Sequence, residues 1–124
     1  MRELLDHKAN PLNDALSVYA LDGPGPGNAS HVYEVTVAPG FAALDTVLHQ
    51  IRFQNGPVRE ARINGLSQEV LLAIVIDRLR GFQSGPYACR ENALALTKLE
   101  EAMHWLHHRT RAREQRGVEG TSTV

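Results

Sequence analysis

Cysteine is nearly missing from the sequence. The single residue Cys89 rules out a disulfide framework within the chain and suits a reducing compartment. Long apolar runs are missing too. The longest, Val70 to Ile76, falls far short of the ~20 residues that a membrane-spanning helix requires. The N-terminal MRELLDHKAN lacks the apolar core of a signal peptide, so the expectation is a cytoplasmic protein with no membrane association. Charge of one sign is scarce: 13 Lys/Arg against 14 Asp/Glu give a net charge of −1, which argues against a basic coat for DNA or RNA. HExxH is absent, as are a phosphate loop ending in Lys-Ser/Thr, a Ser/His/Asp arrangement, internal repeats and low-complexity tracts. What remains is 124 residues at 43% apolar, enough to bury a core as a single domain over 1–124.

The near-zero sum conceals a division. Residues 1–51 carry two basic and six acidic side chains, whereas residues 52–124 carry eleven basic and eight acidic ones. Within 102–116, Arg109, Arg111, Arg113 and Arg116 face only Glu114. An anionic partner is therefore expected at the end of the last helix.

Hydrophobic periodicity divides the chain into a β-rich part, 14–63, a helical hairpin, 67–116, and a tail, 117–124. Ala15 to Leu21 is a short apolar stretch stopped by Asp22-Gly-Pro-Gly-Pro-Gly-Asn28, a Gly/Pro alternation that neither a helix nor a central strand tolerates. His31 to Val37 alternates, with Tyr33, Val35 and Val37 on one face. After Pro39-Gly40, Thr46 to Gln54 alternates again, with Val47, His49, Ile51 and Phe53 together. Three such strands predict a small antiparallel sheet whose apolar face needs a cover.

Ser67 is a natural N-cap with Glu69 in the first turn behind it. Val70, Leu71, Ile74, Val75, Leu79 and Phe82 then recur at helical spacing up to about Gly81. Ser84-Gly85-Pro86 breaks the pattern, and a second helix is predicted from about Cys89 to Arg116, ended by Gly117. Its seam is Asn92, Leu96, Leu99, Met103, Leu106, Thr110 and Arg113, in steps of four and three. Such a helix would be about 42 Å long, against a radius of gyration of about 14 Å for a chain of this size. It should project and find another helix, so self-association is expected. The tail, Val118 to Val124, is expected to be mobile.

Several residues invite a chemical reading. His104 and His108 have zinc-ligand spacing with His107 beside them, but a His/Arg-rich helix end also complements the helix dipole. Cys89, near a helix start, reads as a packed small residue, and GPGPGN as a turn between strands. The arginines say more. Arg109 and Arg113 are four apart on one face, while Phe82-Gln83 and Asn92 lie at the hairpin turn. Stacking, an amide for a base edge and arginine forks for phosphates are together what a nucleotide requires. Asn92 and Arg109 stand 17 residues apart on one helix, roughly 25 Å. A small ligand touching both must take the arginines from a neighbouring subunit, with the long helices antiparallel.

From Phe53 onward the chain reads FQNGP, NG (64–65), EVLLAI, DRL, FQSGP, CRENA, AL, LEEA, RT (109–110) and RGVEGT (116–121). This ordered series, spread over about 70 residues, resembles the phage and prophage proteins that carry the αα-hairpin domain shared by Thoeris anti-defence sponges and anti-CBASS cyclic-nucleotide sponges. The β-rich N-terminal part resembles the Thoeris branch. The resemblance implies an α+β subunit, an N-terminal sheet followed by two long helices, that dimerises to form its pocket and assembles to hexamers. It implies a protein that is not an enzyme and needs no cofactor or metal, and that hides a cyclic ADP-ribose isomer in the cytoplasm of an infected bacterium. Some members also bind cyclic di- or trinucleotides at separate sites. Carried onto this chain, Phe82 and Asn92 take the base side, Arg109 and Arg113 the pyrophosphate, with Arg59 a further candidate. Two other classes stay open on the residues alone: an enzyme degrading such a signal through His104, His107 and His108, and a phage structural or DNA-binding module using the basic helix.

Overall fold

An N-terminal sheet followed by helices makes this an α+β fold. The computed structural model describes residues 1–38, 40–41 and 48–124. Pro39 of the expected turn, and Thr46 and Val47 of the third predicted strand, lie outside the described residues. The chain divides into two compact units, one of Met1–Gly56 with Ala61–Gly65 and one of Pro57–Glu60 with Leu66–Val124.

The first unit is an antiparallel meander in the order β1 (Arg2–Leu4), β2 (Leu16–Ala20), β3 (Val32–Val37) and β4 (Leu48–Arg52). Opposite Tyr33 lies Ile51, and opposite Val35 lies His49, so the two alternations read from the sequence share one face. Val18 and Ala20 of β2 join that face opposite Val35 and Tyr33. Phe53 continues it, meeting Tyr33 edge-to-face at 5.7 Å. β1 extends the sheet beyond the three strands expected, with Leu4 opposite Val18. It is three residues long and two of them are charged, too short for alternation to register. Between β1 and β2 sits α1 (Pro11–Asp14), capped by the Asn10 side chain, which accepts the Asn13 N–H at 2.9 Å.

Two polar clusters set the ends of this unit. At the β2–β3 connection, Asp22 Oδ1 accepts the main-chain N–H groups of His31 and Val32, each at 3.0 Å, and Oδ2 shares the His31 N–H at 2.9 Å. The Gly/Pro-rich segment closes beneath, where the buried His31 ring donates from Nε2 to the Pro26 carbonyl at 3.1 Å. After β4, the FQNGP and NG stretches are sewn together. Asn64 exchanges two hydrogen bonds of 2.8 Å with the main chain of Asn55, and its own N–H donates to Gln54 Oε1 at 3.0 Å. Gln54 Nε2 in turn donates to the carbonyls of Arg62 and Gly56. Gly65 lies against this knot: a Cβ there would overlap the Phe53 carbonyl group and sit 2.7 Å from the Arg52 carbonyl oxygen.

The second unit is built on α3 (Gln68–Gln83) and α4 (Arg90–Gln115), which pack as a hairpin, with α2 (Val58–Ala61) supplying residues up to Glu60. Ser67 caps α3 as expected, its Oγ accepting the Val70 N–H at 3.3 Å. All seven seam residues of α4 are half-buried or buried. The apolar stripe expected for α3 is corrected by the structure. The least exposed row is Leu72, Ile76, Leu79 and Gln83, with Ile76 only 5% exposed. Of the expected stripe Leu71 and Leu79 are half-buried, whereas Val70, Ile74, Val75 and Phe82 are exposed, Ile74 at 53%. Seven consecutive apolar residues make α3 apolar nearly all round, so periodicity could not tell which side α4 takes. Arg80 and Glu100 link the two helices at 2.8 Å, an exposed pair of small energetic weight. Among the described residues no helix is long and apolar enough to cross a membrane.

Gly65→Ala is expected to destabilise the fold by about 3 kcal/mol through main-chain overlap, read by chemical denaturation. The two main-chain bonds to Val32 and His31 hold the Asp22 carboxyl below its ordinary value of 3.8. A lowered folded value means stabilisation that is full above 3.8 and lost as pH falls through the lowered value. Asp22→Asn should therefore melt below the wild type at neutral pH, and the gap should close on acidification below 3.8.

Candidate functional site

The hairpin presents two chemically different ends. At its turn, Cys89 is the N-cap of α4, its Sγ accepting the Asn92 N–H at 3.4 Å while its own N–H donates to Gln83 Oε1 at 3.0 Å. Asn92 is half-buried in the first turn of α4, and its amide group makes no hydrogen bond to a described residue. Phe82, in the last turn of α3, is 37% exposed and meets Tyr87 of the turn edge-to-face at 6.3 Å. Arg78, one helical turn earlier, lays its guanidinium 5.4 Å from the centre of the Phe82 ring. An amide with unused donors and acceptors and a partly exposed aromatic group thus belong to the same end of the hairpin. Tyr87 and Arg78 were not anticipated, although the i, i+4 spacing of Arg78 and Phe82 is visible in the sequence.

At the other end, α4 stops in a Schellman turn. Gly117, at φ 71°, donates to the Glu114 carbonyl, and the Val118 N–H donates to the Arg113 carbonyl, both at 3.0 Å. The expected glycine stop is where the sequence placed it. The expected mobile tail is corrected: Val118–Val124 folds back around Arg113. That side chain, in a residue 8% exposed, donates from Nε to the Glu119 carboxylate at 3.1 Å and from Nη1 to the Thr123 carbonyl at 2.7 Å. Nη2 donates to the carbonyls of Val118 at 2.9 Å and Thr121 at 3.1 Å. Four of its five N–H groups are thereby satisfied within the subunit. The cause is a matching of shapes: a planar fork of donors meets a loop whose carbonyls turn inward.

Arg59 belongs to the same assembly. Its N–H donates to the Gly120 carbonyl at 3.0 Å, and its side chain runs over Gly120, where a Cβ would stand 3.2 Å from Arg59 Cγ. With φ at 79°, Gly120 satisfies both the turn and the close approach. The RGVEGT stretch therefore wraps one arginine and supports another. Arg109 lies one turn before Arg113, exposed and without an ion pair among the described residues. Beside it, His107, Thr110, Arg111 and Glu114 line an open groove of about 250 Å³ that includes none of the five expected site residues. His104 and His108 both turn ring edges to Trp105, at 5.3 and 5.7 Å.

Phe82 and Asn92 thus belong to the turn end of the hairpin, and Arg59, Arg109 and Arg113 to the other end of a 26-residue helix about 39 Å long. Glu119 and the tail carbonyls are the participants that sequence reading missed. Their signal was the pair of glycines, Gly117 and Gly120, flanking an acid after an arginine-rich helix. Arg113→Ala is expected to cost about 2–4 kcal/mol, because it strips an inward-facing loop of its donors, whereas Arg109→Ala should cost under about 0.5 kcal/mol. Thermal melts of the two variants separate these outcomes.

Comparison with known proteins bears on the same segment. The family model described as "Acb2/Tad1, hairpin domain" matches residues 45–111, more than half of the chain. A protein named Thoeris anti-defense 1, from Bacillus phage SBSphiJ7, is 52% identical over 95 residues, which are 77% of this chain and 64% of that relative. The chain thus spans about 64% of the length of this curated relative. With the matched segment running from the last strand through the helical hairpin to Arg111, the chain belongs to the Acb2/Tad1 hairpin-domain family.

Proposed function

We propose that this protein is a phage anti-defence sponge, a subunit of an oligomer that binds a cyclic ADP-ribose-type immune signal and withholds it without cleaving it. The family and the name of the phage relative support the anti-defence role. The single observation that carries the binding mode is the separation of the two half-sites. Phe82 and Asn92 offer a ring and an amide to a base, and Arg109 offers a cation to a pyrophosphate, but about 25 Å of rigid helix lies between Asn92 and Arg109. Two antiparallel copies of the hairpin bring each ring to the partner's arginine and yield two equal sites by two-fold symmetry. The exposed row of Val70, Ile74 and Val75 supplies apolar surface for such pairing. Arg113 stands behind Arg109, fixes the loop and contributes its remaining Nη1–H, while Arg59 flanks it.

Sequestration asks little more of the site. A bound signal is removed from its receptor in proportion to subunits present, and ligand in excess of its dissociation constant stabilises the folded protein. The reading places the protein in the cytoplasm of the infected host, as dimers assembling to hexamers, with cyclic di- or trinucleotides as ligands of a separate site.

Native mass spectrometry with cyclic ADP-ribose isomers should show an oligomer with bound ligand mass, and heating should release the ligand intact. Recovery of a linear or hydrolysed product would overturn sequestration in favour of degradation. Phe82→Ala should weaken binding by about 1–3 kcal/mol. Arg109→Ala should weaken it comparably through the lost phosphate contact. Mixing these two variants under conditions of subunit exchange restores one intact site per mixed dimer, about a quarter of all sites by random pairing. A mixture as weak as its components would refute the shared site.

A further inference from the structure

Three groups able to stack converge at the hairpin turn, and the base site proposed above uses only one of them. Arg78 and Phe82 occupy successive turns of one face of α3, with the guanidinium 5.4 Å from the ring centre. Tyr87, 73% exposed, meets Phe82 at an interplanar angle of 75°. The two arginines of α3 differ in employment. Arg80 is paired with Glu100, whereas Arg78 makes no ion pair with a described residue and lies over an aromatic ring instead. Its neighbour Asp77 cannot reach it in this geometry, since adjacent residues on a helix face different ways. The Asn92 amide, at the same end of the hairpin, faces no competing hydrogen bond among the described residues.

We infer that Arg78 and Tyr87 are ligand contacts of this same site: Arg78 closes over the second face of a base stacked on Phe82, and Tyr87 forms its side wall. The inference rests on the base-binding reading given above. A base has two π-faces, and Phe82 covers one. A planar, delocalised guanidinium is the group best suited to cover the other, and a long flexible stem lets it withdraw from Phe82 without moving the helix backbone. Tyr87 meets Phe82 near the perpendicular, an arrangement that fixes the tilt of the stacking ring.

This arrangement carries a specificity rule. A guanidinium cap favours a neutral, electron-rich purine and opposes a ring that is itself cationic. Adenine left unsubstituted at N1 is neutral at pH 7, whereas N1-glycosylated adenine carries positive charge. Arg78 is thus a specificity-determining residue, selecting cyclic ADP-ribose isomers closed through a sugar oxygen over the isomer closed through N1.

Titration calorimetry with two probes tests this: a 2′-linked cyclic ADP-ribose isomer and the N1-linked one. Arg78→Ala should weaken the 2′-linked probe about tenfold and narrow the preference between the two. Arg78→Lys should leave most of that loss unrepaired, because a point charge does not stack. Tyr87→Phe should bind as the wild type and Tyr87→Ala more weakly. Melting temperatures should stay within a degree or two, since Arg78 and Tyr87 are exposed. Wild-type affinity and unchanged preference in Arg78→Ala overturn the inference, and so does full recovery by Arg78→Lys. Phe82→Ala separates the two levels: if it alone loses binding, the base site stands and the cap falls. If the wild type binds neither probe, the function proposed above fails with it.

Discussion

A straight α-helix holds its ends apart, and in this protein that rigidity sets the terms for everything else. α4 carries a half-buried amide in its first turn and exposed arginine near its last, about 25 Å away from each other. Nothing in the hairpin can fold the two together, because each end is separately fixed. A thiol cap and the Gln83 side chain hold the first turn. The Schellman turn and the Arg113 cage hold the last. In the proposed function these two well-defined ends are half-sites, and association is the step that completes them.

The fold was largely legible where local physics is strong. Ser67 and Gly117 announced helix ends because each satisfies main-chain groups that the helix leaves over. Alternation in 31–37 and 48–53 carried through to a common face because strand pairing preserves a period of two. Legibility failed where the deciding interaction is not local. β1 exists because β2 pairs with it, and REL alone carries no pattern. The contact stripe of α3 depends on which side α4 takes, a question that an all-round apolar helix leaves open. The candidate site divides in the same way. Phe82 and Asn92 were readable as residues of the hairpin turn, whereas Arg113, read from the sequence as a fork for phosphate, spends most of its donors on the loop that follows it.

Motif residues in this chain do two different jobs. Gln54, Asn55, Asn64 and Gly65, apart in sequence, close one hydrogen-bonded knot after the sheet. Arg113, Glu119 and Gly120 close another after the last helix. Both knots are made of side chains bonding to main chain, which fixes loops that have little apolar surface of their own. Much of the pattern that identifies the family is therefore framework. The groups that the proposed function offers to a ligand are fewer and sit at the tips of that framework.

The length of α4 has a kinetic consequence in the proposed assembly. If each site draws its ring from one chain and its arginine from another, a lone subunit has no site at all. Capture capacity then tracks dimers rather than chains, and at concentrations below the dimer dissociation constant it grows as the square of the amount of protein. Such a scavenger has a built-in threshold: nearly inert when first translated, and abruptly effective once its copies begin to meet.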